Sequence, residues 1–94
     1  MQQQGSLVER LQTLRNKTDR LLLVFTEPEA QDFWLQPGES VEVRASVESL
    51  GGNFELDSTR EGITVWPSAG MGYISVWADN TQLEVGHQRP TGWA

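Results

Sequence analysis

Few residues in this chain have the types and spacing that catalysis requires. Its single histidine, His87, falls at the start of residues 87–94, where the apolar period of the preceding segment stops. Nucleophilic catalysis needs a base beside a serine or cysteine, and the chain has no cysteine. A lone histidine outside a packed element is far more often hydrated than bound to a metal. The sequence therefore predicts neither a catalytic triad nor a metal site.

Two groups of carboxylates remain as candidates for acid and base chemistry. One consists of Glu27, Glu29 and Asp32, and the other of Asp57 and Glu61. Both groups fall in segments rich in turn-forming residues, where a charged side chain is simply hydrated. No glycine cluster follows a strand and opens a helix, so a phosphate-binding loop is not predicted either. We expect a non-enzymatic protein without a cofactor.

Aromatic side chains are stronger candidates for a binding site. Alternation along two predicted strands places Trp66, Tyr73 and Trp77 on outward faces. On adjacent antiparallel strands these rings would form a flat platform for a protein partner or a sugar ring. The structural alternative is that an N-terminal helix covers this face. Trp34 is expected in the core, and Trp93 is expected to hold the C-terminal residues or to contact a neighbour.

The elements that must position these side chains begin with a predicted helix at about residues 7–18. Ser6 and Glu9 have the spacing of a capping box, which satisfies the first amides of a helix. An apolar stripe follows at helical spacing, formed by Leu7, Leu11 and Leu14. We expect this stripe either to dock on the sheet or to mediate oligomerisation. Residues 1–20 are thus predicted to be a helical arm.

The rest of the chain is predicted to be mainly β. Residues 40–48 alternate strictly, with one apolar face made of Val41, Val43, Ala45 and Val47. Further strands are expected at about residues 21–26, 54–57, 63–66, 73–78 and 81–85, the last two joined by a tight turn at Asp79-Asn80. The strands at 39–48 and 54–57 are expected to pair as a hairpin. The sequence predicts a small antiparallel sandwich or barrel of about six or seven strands over residues 21–86, preceded by one amphipathic helix and followed by a tail at 87–94.

Composition narrows the possible partners and the compartment. The 94 residues suffice for one domain with a small core, and the net charge is -6. Four basic and two acidic residues give residues 1–20 a charge of +2, whereas three basic and eleven acidic residues give 21–94 a charge of -8. Such an acidic body repels nucleic acid and anionic lipid. The longest apolar run, residues 21–25, is too short to cross a bilayer. Because the chain lacks cysteine, a reducing cytoplasm is expected.

Three segments within residues 33–86 form a recognisable series. They read Phe33-Trp34-Leu35-Gln36-Pro37-Gly38-Glu39-Ser40, Gly62-Ile63-Thr64-Val65-Trp66-Pro67 and Val76-Trp77-Ala78-Asp79-Asn80-Thr81. In this series the chain resembles a loosely defined group of small, uncharacterised bacterial all-β proteins. The resemblance implies a small β fold from a bacterium or its mobile elements, and it implies no activity. The Pro-Gly-Glu entry into an alternating strand also occurs in cupredoxin-like sandwiches. The cysteine and histidine copper ligands of that family are absent from this sequence, so copper binding is not expected.

The functional expectation is a cytoplasmic, non-enzymatic interaction module. Its first expected partner is a protein or a second copy of itself, because aromatic rings rimmed by charge are typical of interface cores. One such interaction module would be an acidic inhibitor that occupies a basic nucleic-acid channel on its target protein. The alternative is carbohydrate binding through Trp66, Tyr73 and Trp77. Neither direct nucleic-acid binding nor membrane insertion is expected.

Overall fold

The computed structural model describes residues 8–48 and 52–93. Over these residues the chain forms β-strands and turns without any helix, so none is present that could cross a membrane. The strands are β1 (Val8–Arg15), β2 (Leu22–Thr26), β3 (Gln31–Leu35), β4 (Ser40–Val47), β5 (Phe54–Ser58), β6 (Gly62–Pro67), β7 (Ser75–Ala78) and β8 (Thr81–Gln82).

The strands form two four-stranded sheets. Sheet A has the order β1-β4-β7-β8 and sheet B the order β3-β2-β6-β5. All neighbouring strands are antiparallel except β2 and β6, which run parallel. The prediction of a mainly β chain is confirmed.

The hydrophobic core lies between the two sheets. The alternating face predicted for β4 is buried, with Val41, Val43, Ala45 and Val47 each 3% exposed or less. Sheet A also contributes Leu14 and Val76, sheet B contributes Val24, Phe33, Leu35 and Val65, and Ile74 adds to the core from just before β7. Because inward residues alternate with outward ones along β4, its apolar face is buried while Glu42 and Arg44 stay on the other face.

The predicted N-terminal helix is wrong. Residues 8–15 form β1, which pairs antiparallel with β4 from Val8 opposite Val47 to Arg15 opposite Ser40. Leu14 enters the core at 6% exposure, whereas Leu11 is 52% exposed on the outer face of sheet A. Ser6 and Leu7 lie outside the described residues. Helix propensity is a weak preference, and the complete ladder of hydrogen bonds offered by β4 overrides it.

The predicted hairpin between residues 39–48 and 54–57 is also wrong, since β4 pairs with β1 and β7 and β5 pairs with β6. The chain crosses to sheet B after β4, and β6 then lies parallel to β2. Gly62 permits this approach, because a side chain at that position would overlap the backbone of Leu23. The turn predicted at Asp79-Asn80 is confirmed, and both residues have the positive φ values of a two-residue hairpin loop.

The C-terminal segment, defined here as residues 86–93, lies along the outer edge of β3 and contacts the outward side chains of Asp32 and Trp34. The Trp34 amide donates to the His87 carbonyl at 2.9 Å, and the Gly86 amide donates to the Asp32 carbonyl at 2.7 Å. The indole of Trp93 meets that of Trp34 edge to face, with ring centroids 5.4 Å apart. The residues predicted as a tail thus pack along β3.

Asn16 joins the end of β1 to sheet B. It is fully buried, and its amide nitrogen donates to the carbonyls of Leu35 and Arg20, both at 2.8 Å. Its side-chain oxygen accepts from the backbone amide and the hydroxyl of Thr18. Satisfying every polar atom of this buried side-chain amide fixes the geometry of residues 16–20.

Candidate functional site

The outer edge of β1 is the most extensive open feature among the described residues. This edge is the row of backbone groups on the side of β1 that faces away from β4. Within residues 8–48 and 52–93 no strand pairs with it. A strand edge presents unpaired N–H and C=O groups, so it is a template for another strand.

Two sets of contacts establish which residues of β1 turn outwards. The Asn16 amide donates to the Glu39 carbonyl at 2.9 Å and so continues the β1–β4 register past Arg15. Since alternate residues of an antiparallel strand bond to the same neighbour, the even-numbered residues of β1 bond to β4. The odd-numbered residues Glu9, Leu11, Thr13 and Arg15 therefore direct their backbone groups away from the sheet.

The opposite side of sheet A gives the same assignment. The Leu83 amide donates to the Val76 carbonyl at 2.8 Å, so Val76 bonds towards β8. Its neighbours Ser75 and Trp77 then bond towards β4, where they face Arg44 and Glu42. Odd-numbered residues of β4 are left for β1, in agreement with the contact at Asn16.

Both faces of β1 are largely open. Of its eight residues only Leu14 is buried, and Val8 and Leu11 are 43% and 52% exposed. Arg10 lies against the start of β5, where its Nε donates to the Gly52 carbonyl at 2.6 Å. Because so little of β1 is buried, hydrophobic packing contributes little to its conformation. Pairing with β4 holds the strand in place.

The other sheet edges are short or covered. β8 has two residues, and the edge of β3 is bonded to the C-terminal segment. β5 has five residues, and it carries Glu55 and Asp57 on its exposed surface. Short length and a segment bonded along the edge both discourage pairing with a further strand. By these criteria β1 is the edge best suited to receive a further strand.

The outer face of sheet A beside β1 carries a polar network around Arg44. Its guanidinium lies 4.2 Å from the ring centroid of Trp77, and its Nε donates to Glu42 at 2.7 Å. The indole nitrogen of Trp77 donates to the Ser75 hydroxyl at 2.7 Å. A hollow of about 230 Å³ lies beside this network, and its lining includes Glu42, Arg44, Trp77, Thr13, Asp79 and Asn80. Arg44 covers one face of the Trp77 ring, which leaves less of it for stacking with a ligand.

The three aromatic residues predicted as a platform are separated by the topology. Trp66 is on β6 in sheet B, Trp77 is on β7 in sheet A, and Tyr73 precedes β7 outside any strand. The expected adjacency of their strands is therefore wrong. Tyr73 is 81% exposed and lines a small apolar depression with Pro28, Pro67 and Met71. Trp66 is 40% exposed and lies opposite Glu55 on β5.

Asp32 is the most strongly held carboxylate in the described residues. It is 3% exposed and accepts two hydrogen bonds from Arg89, at 2.6 and 2.7 Å, and one from the indole of Trp34 at 2.9 Å. The bonds from Arg89 lower the pKa of Asp32 despite the opposing effect of burial, and the Trp34 bond lowers it further. A carboxylate saturated in this way anchors the C-terminal segment and has no proton to exchange with a substrate at neutral pH.

The remaining carboxylate candidates do not assemble into a reactive group. Across the described ranges no three side chains of histidine, cysteine, aspartate or glutamate come together as metal ligands would. Asp57 and Glu61 are exposed, and Asp32 is engaged by Arg89. His87 contributes its backbone to β3.

Sequence reasoning missed the edge of β1 because that edge carries no period-2 signal. A strand that is exposed on both faces has no buried face to impose alternation. Leucine, arginine, glutamine and glutamate favour helices, and Leu7, Leu11 and Leu14 have helical spacing. The only contrary local signal was weak, in Val8 and the β-branched Thr13.

Comparison with known proteins adds no family assignment: no family model, no curated protein and no solved structure matches this chain.

Proposed function

We propose that this protein is a non-enzymatic protein-interaction module that takes up an extended partner segment by strand addition along the outer edge of β1. The observation that carries the proposal is the eight-residue strand whose odd-numbered residues direct their backbone groups to solvent. In strand addition, backbone hydrogen bonds supply affinity, and alternate side chains supply specificity. The exposed Leu11 supplies an apolar contact on the face where a partner's side chains would lie.

Charge supports a protein as the partner. The described body after residue 20 is strongly acidic, and β1 carries Arg10 and Arg15 against Glu9. A polyanion would be repelled by that body, whereas an uncharged or weakly acidic extended peptide would not. The absence of cysteine from the chain fits a reducing compartment, so we place this interaction in the cytoplasm of a bacterium.

Carbohydrate binding is less well supported. A sugar platform needs rings on one continuous surface, but Trp66 and Trp77 belong to different sheets. The Trp77 ring that does border a hollow has Arg44 over one face.

Site-specific photo-crosslinking in cells tests the proposal. A benzophenone amino acid in place of Leu11 should crosslink another polypeptide, either a foreign protein or a second copy of this chain, whereas the same group in place of Trp66 or Tyr73 should give little product. All three positions are exposed, so accessibility does not explain a difference. Crosslinks confined to position 66 or 73 would contradict the proposal and favour an aromatic site.

Salt dependence separates strand addition from the acidic-inhibitor alternative. Backbone hydrogen bonds are uncharged, so affinity should change little when the salt concentration rises from about 50 to about 500 mM. A steep loss of affinity over that range would indicate binding through the acidic surface.

A further inference from the structure

We infer that one strand added at β1 is the β1 strand of a second copy, in a two-fold symmetric dimer that places Glu9 of each copy opposite Arg15 of the other. The inference rests on the proposed function and specifies an occupant for the same edge. The two copies would join their A sheets into one continuous sheet across the interface.

The symmetry of the edge restricts its self-pairing. In an antiparallel pair of identical strands related by a two-fold axis perpendicular to the sheet, opposite residues share a face. The outward backbone groups belong to Glu9, Leu11, Thr13 and Arg15, so these residues must pair among themselves. An axis through Gln12 pairs Glu9 with Arg15 and Leu11 with Thr13, and symmetry repeats both pairs.

Charge favours this register over its neighbours. Glu9 and Arg15 lie at equal distances along the strand from Gln12 and carry opposite charges. Shifting the axis to Leu11 leaves Glu9 opposite Thr13, and shifting it to Thr13 places Leu11 opposite Arg15. Opposite charges across a strand pair are favourable and like charges are unfavourable. In the register through Gln12, the two charged side chains on the outer face of β1 are both paired, Glu9 of each copy with Arg15 of the other.

Glu9 and Arg15 are available for these contacts. Both are exposed, and neither forms an ion pair with another described residue. Their partners across the β1–β4 ladder are Ser46 and Ser40, which carry no charge. The same register would bring the Leu11 side chains of the two copies into diagonal positions, and so cover a leucine that is 52% exposed in the single chain.

Charge exchange between copies tests the register. Glu9→Arg places like charges opposite each other in both symmetric pairs, and Arg15→Glu does the same with the other sign. Each variant alone should dimerise about tenfold more weakly than the natural chain in sedimentation velocity. An equimolar mixture of the two should recover the natural affinity, because every Arg then faces a Glu.

Controls separate this result from unfolding and from general charge effects. Circular dichroism should show that both variants keep the natural fold, since both positions are exposed. Glu55→Arg on the edge of β5 changes the net charge as much as Glu9→Arg does, and it should leave dimerisation unchanged. A natural chain that stays monomeric up to about 500 µM, or a mixture that remains monomeric, would overturn the inference.

Amide exchange gives an independent readout. On dimerisation the amides of Glu9, Leu11, Thr13 and Arg15 should become protected, while those of Arg10 and Gln12 are protected in the monomer already. Equal protection of odd and even residues at low and high protein concentration would contradict pairing at this edge. A monomer that still crosslinks a foreign protein through position 11 would leave the proposed function standing and refute only the dimer.

Discussion

Asp32 shows how a single buried charge can order a segment that looks irregular in sequence. It lies in the outer face of β3, where Arg89 and the Trp34 indole saturate its oxygens. A buried carboxylate is costly without such partners, so the placement of Asp32 depends on Arg89, a residue 57 positions later in the chain. Nothing in the local sequence around Asp32 or Arg89 indicates that the two side chains meet.

Asp32→Asn is expected to lower the stability of the protein at neutral pH. The stability of this variant should also change less with pH in the acid range than that of the natural chain. The pKa of Asp32 is lowered in the folded protein, so its stabilising effect is present above the ordinary aspartate pKa of about 4 and is lost as the pH falls below it. The difference in unfolding midpoint between the natural chain and the variant should therefore shrink between pH 7 and pH 3. Urea unfolding at several pH values measures this.

Asp57→Asn provides the matched control for that experiment. Asp57 is exposed on β5, so its substitution should change the unfolding midpoint little at any pH. A difference between Asp32→Asn and the natural chain that stays constant with pH would show that the charge of Asp32 contributes nothing.

Thr26→Val is expected to raise stability. The Thr26 side chain is 1% exposed, and its hydroxyl has no hydrogen-bond partner in the described structure. Replacing an unsatisfied buried hydroxyl with a methyl group should raise the free energy of unfolding by about 1 kcal/mol. Thr18→Val should instead lower the free energy of unfolding, because the Thr18 hydroxyl donates to the side-chain oxygen of Asn16 at 2.7 Å. Equal effects from both substitutions in urea unfolding would contradict this reasoning.

At the scale of elements, β1 and the C-terminal segment illustrate two ways in which an irregular stretch becomes ordered. β1 has little core contact of its own, apart from Leu14, and is held by the ladder to β4. The C-terminal segment forms no strand and is held by a few backbone hydrogen bonds to β3 together with side chains, among them Arg89 and Trp93. Each segment covers part of a sheet that would otherwise be open.

Trp93→Ala is expected to destabilise the protein more than Trp66→Ala does. Trp93 is half-buried against Trp34, with the Arg89 guanidinium 5.7 Å from its ring centroid, whereas Trp66 is exposed. Loss of the ring pair should lower the free energy of unfolding by about 1 to 2 kcal/mol. Chemical denaturation of both variants measures the difference. A Trp93→Ala variant as stable as the natural chain would mean that the segment contributes little to the fold.

At the scale of the whole molecule, the distribution of charge limits what this protein binds. Its net charge is -6, and eleven of its thirteen acidic residues follow residue 20. We expect no measurable binding to duplex DNA at about 100 mM salt, because affinity for DNA requires neutralised phosphates. Fluorescence anisotropy with a labelled duplex measures this, with a basic polypeptide of similar size as the positive control. Saturable binding at micromolar protein would contradict the expectation.

The sequence predicted best the strands whose inward and outward residues alternate. β4, β6 and β7 alternate in this way and were all predicted, whereas β3, which is buried on both faces, was not among the predicted strands. The candidate site was not predicted. An edge strand has no second neighbour and little buried surface, so its residues can have helical composition, as β1 does.

Local sequence determined the mainly β class, the buried face of β4, the Asp79-Asn80 turn and the acidic character of the body, because each depends on residues close together in the chain. Only the tertiary structure decided that residues 8–15 form a strand, that Trp66 and Trp77 lie in different sheets, and that Arg89 reaches Asp32. Those outcomes depend on which distant segments meet. Strands that pair can be far apart in the chain, and much of the stabilisation comes from backbone hydrogen bonds. Because nearly every residue has the same backbone groups, side-chain patterns alone do not specify which strands pair.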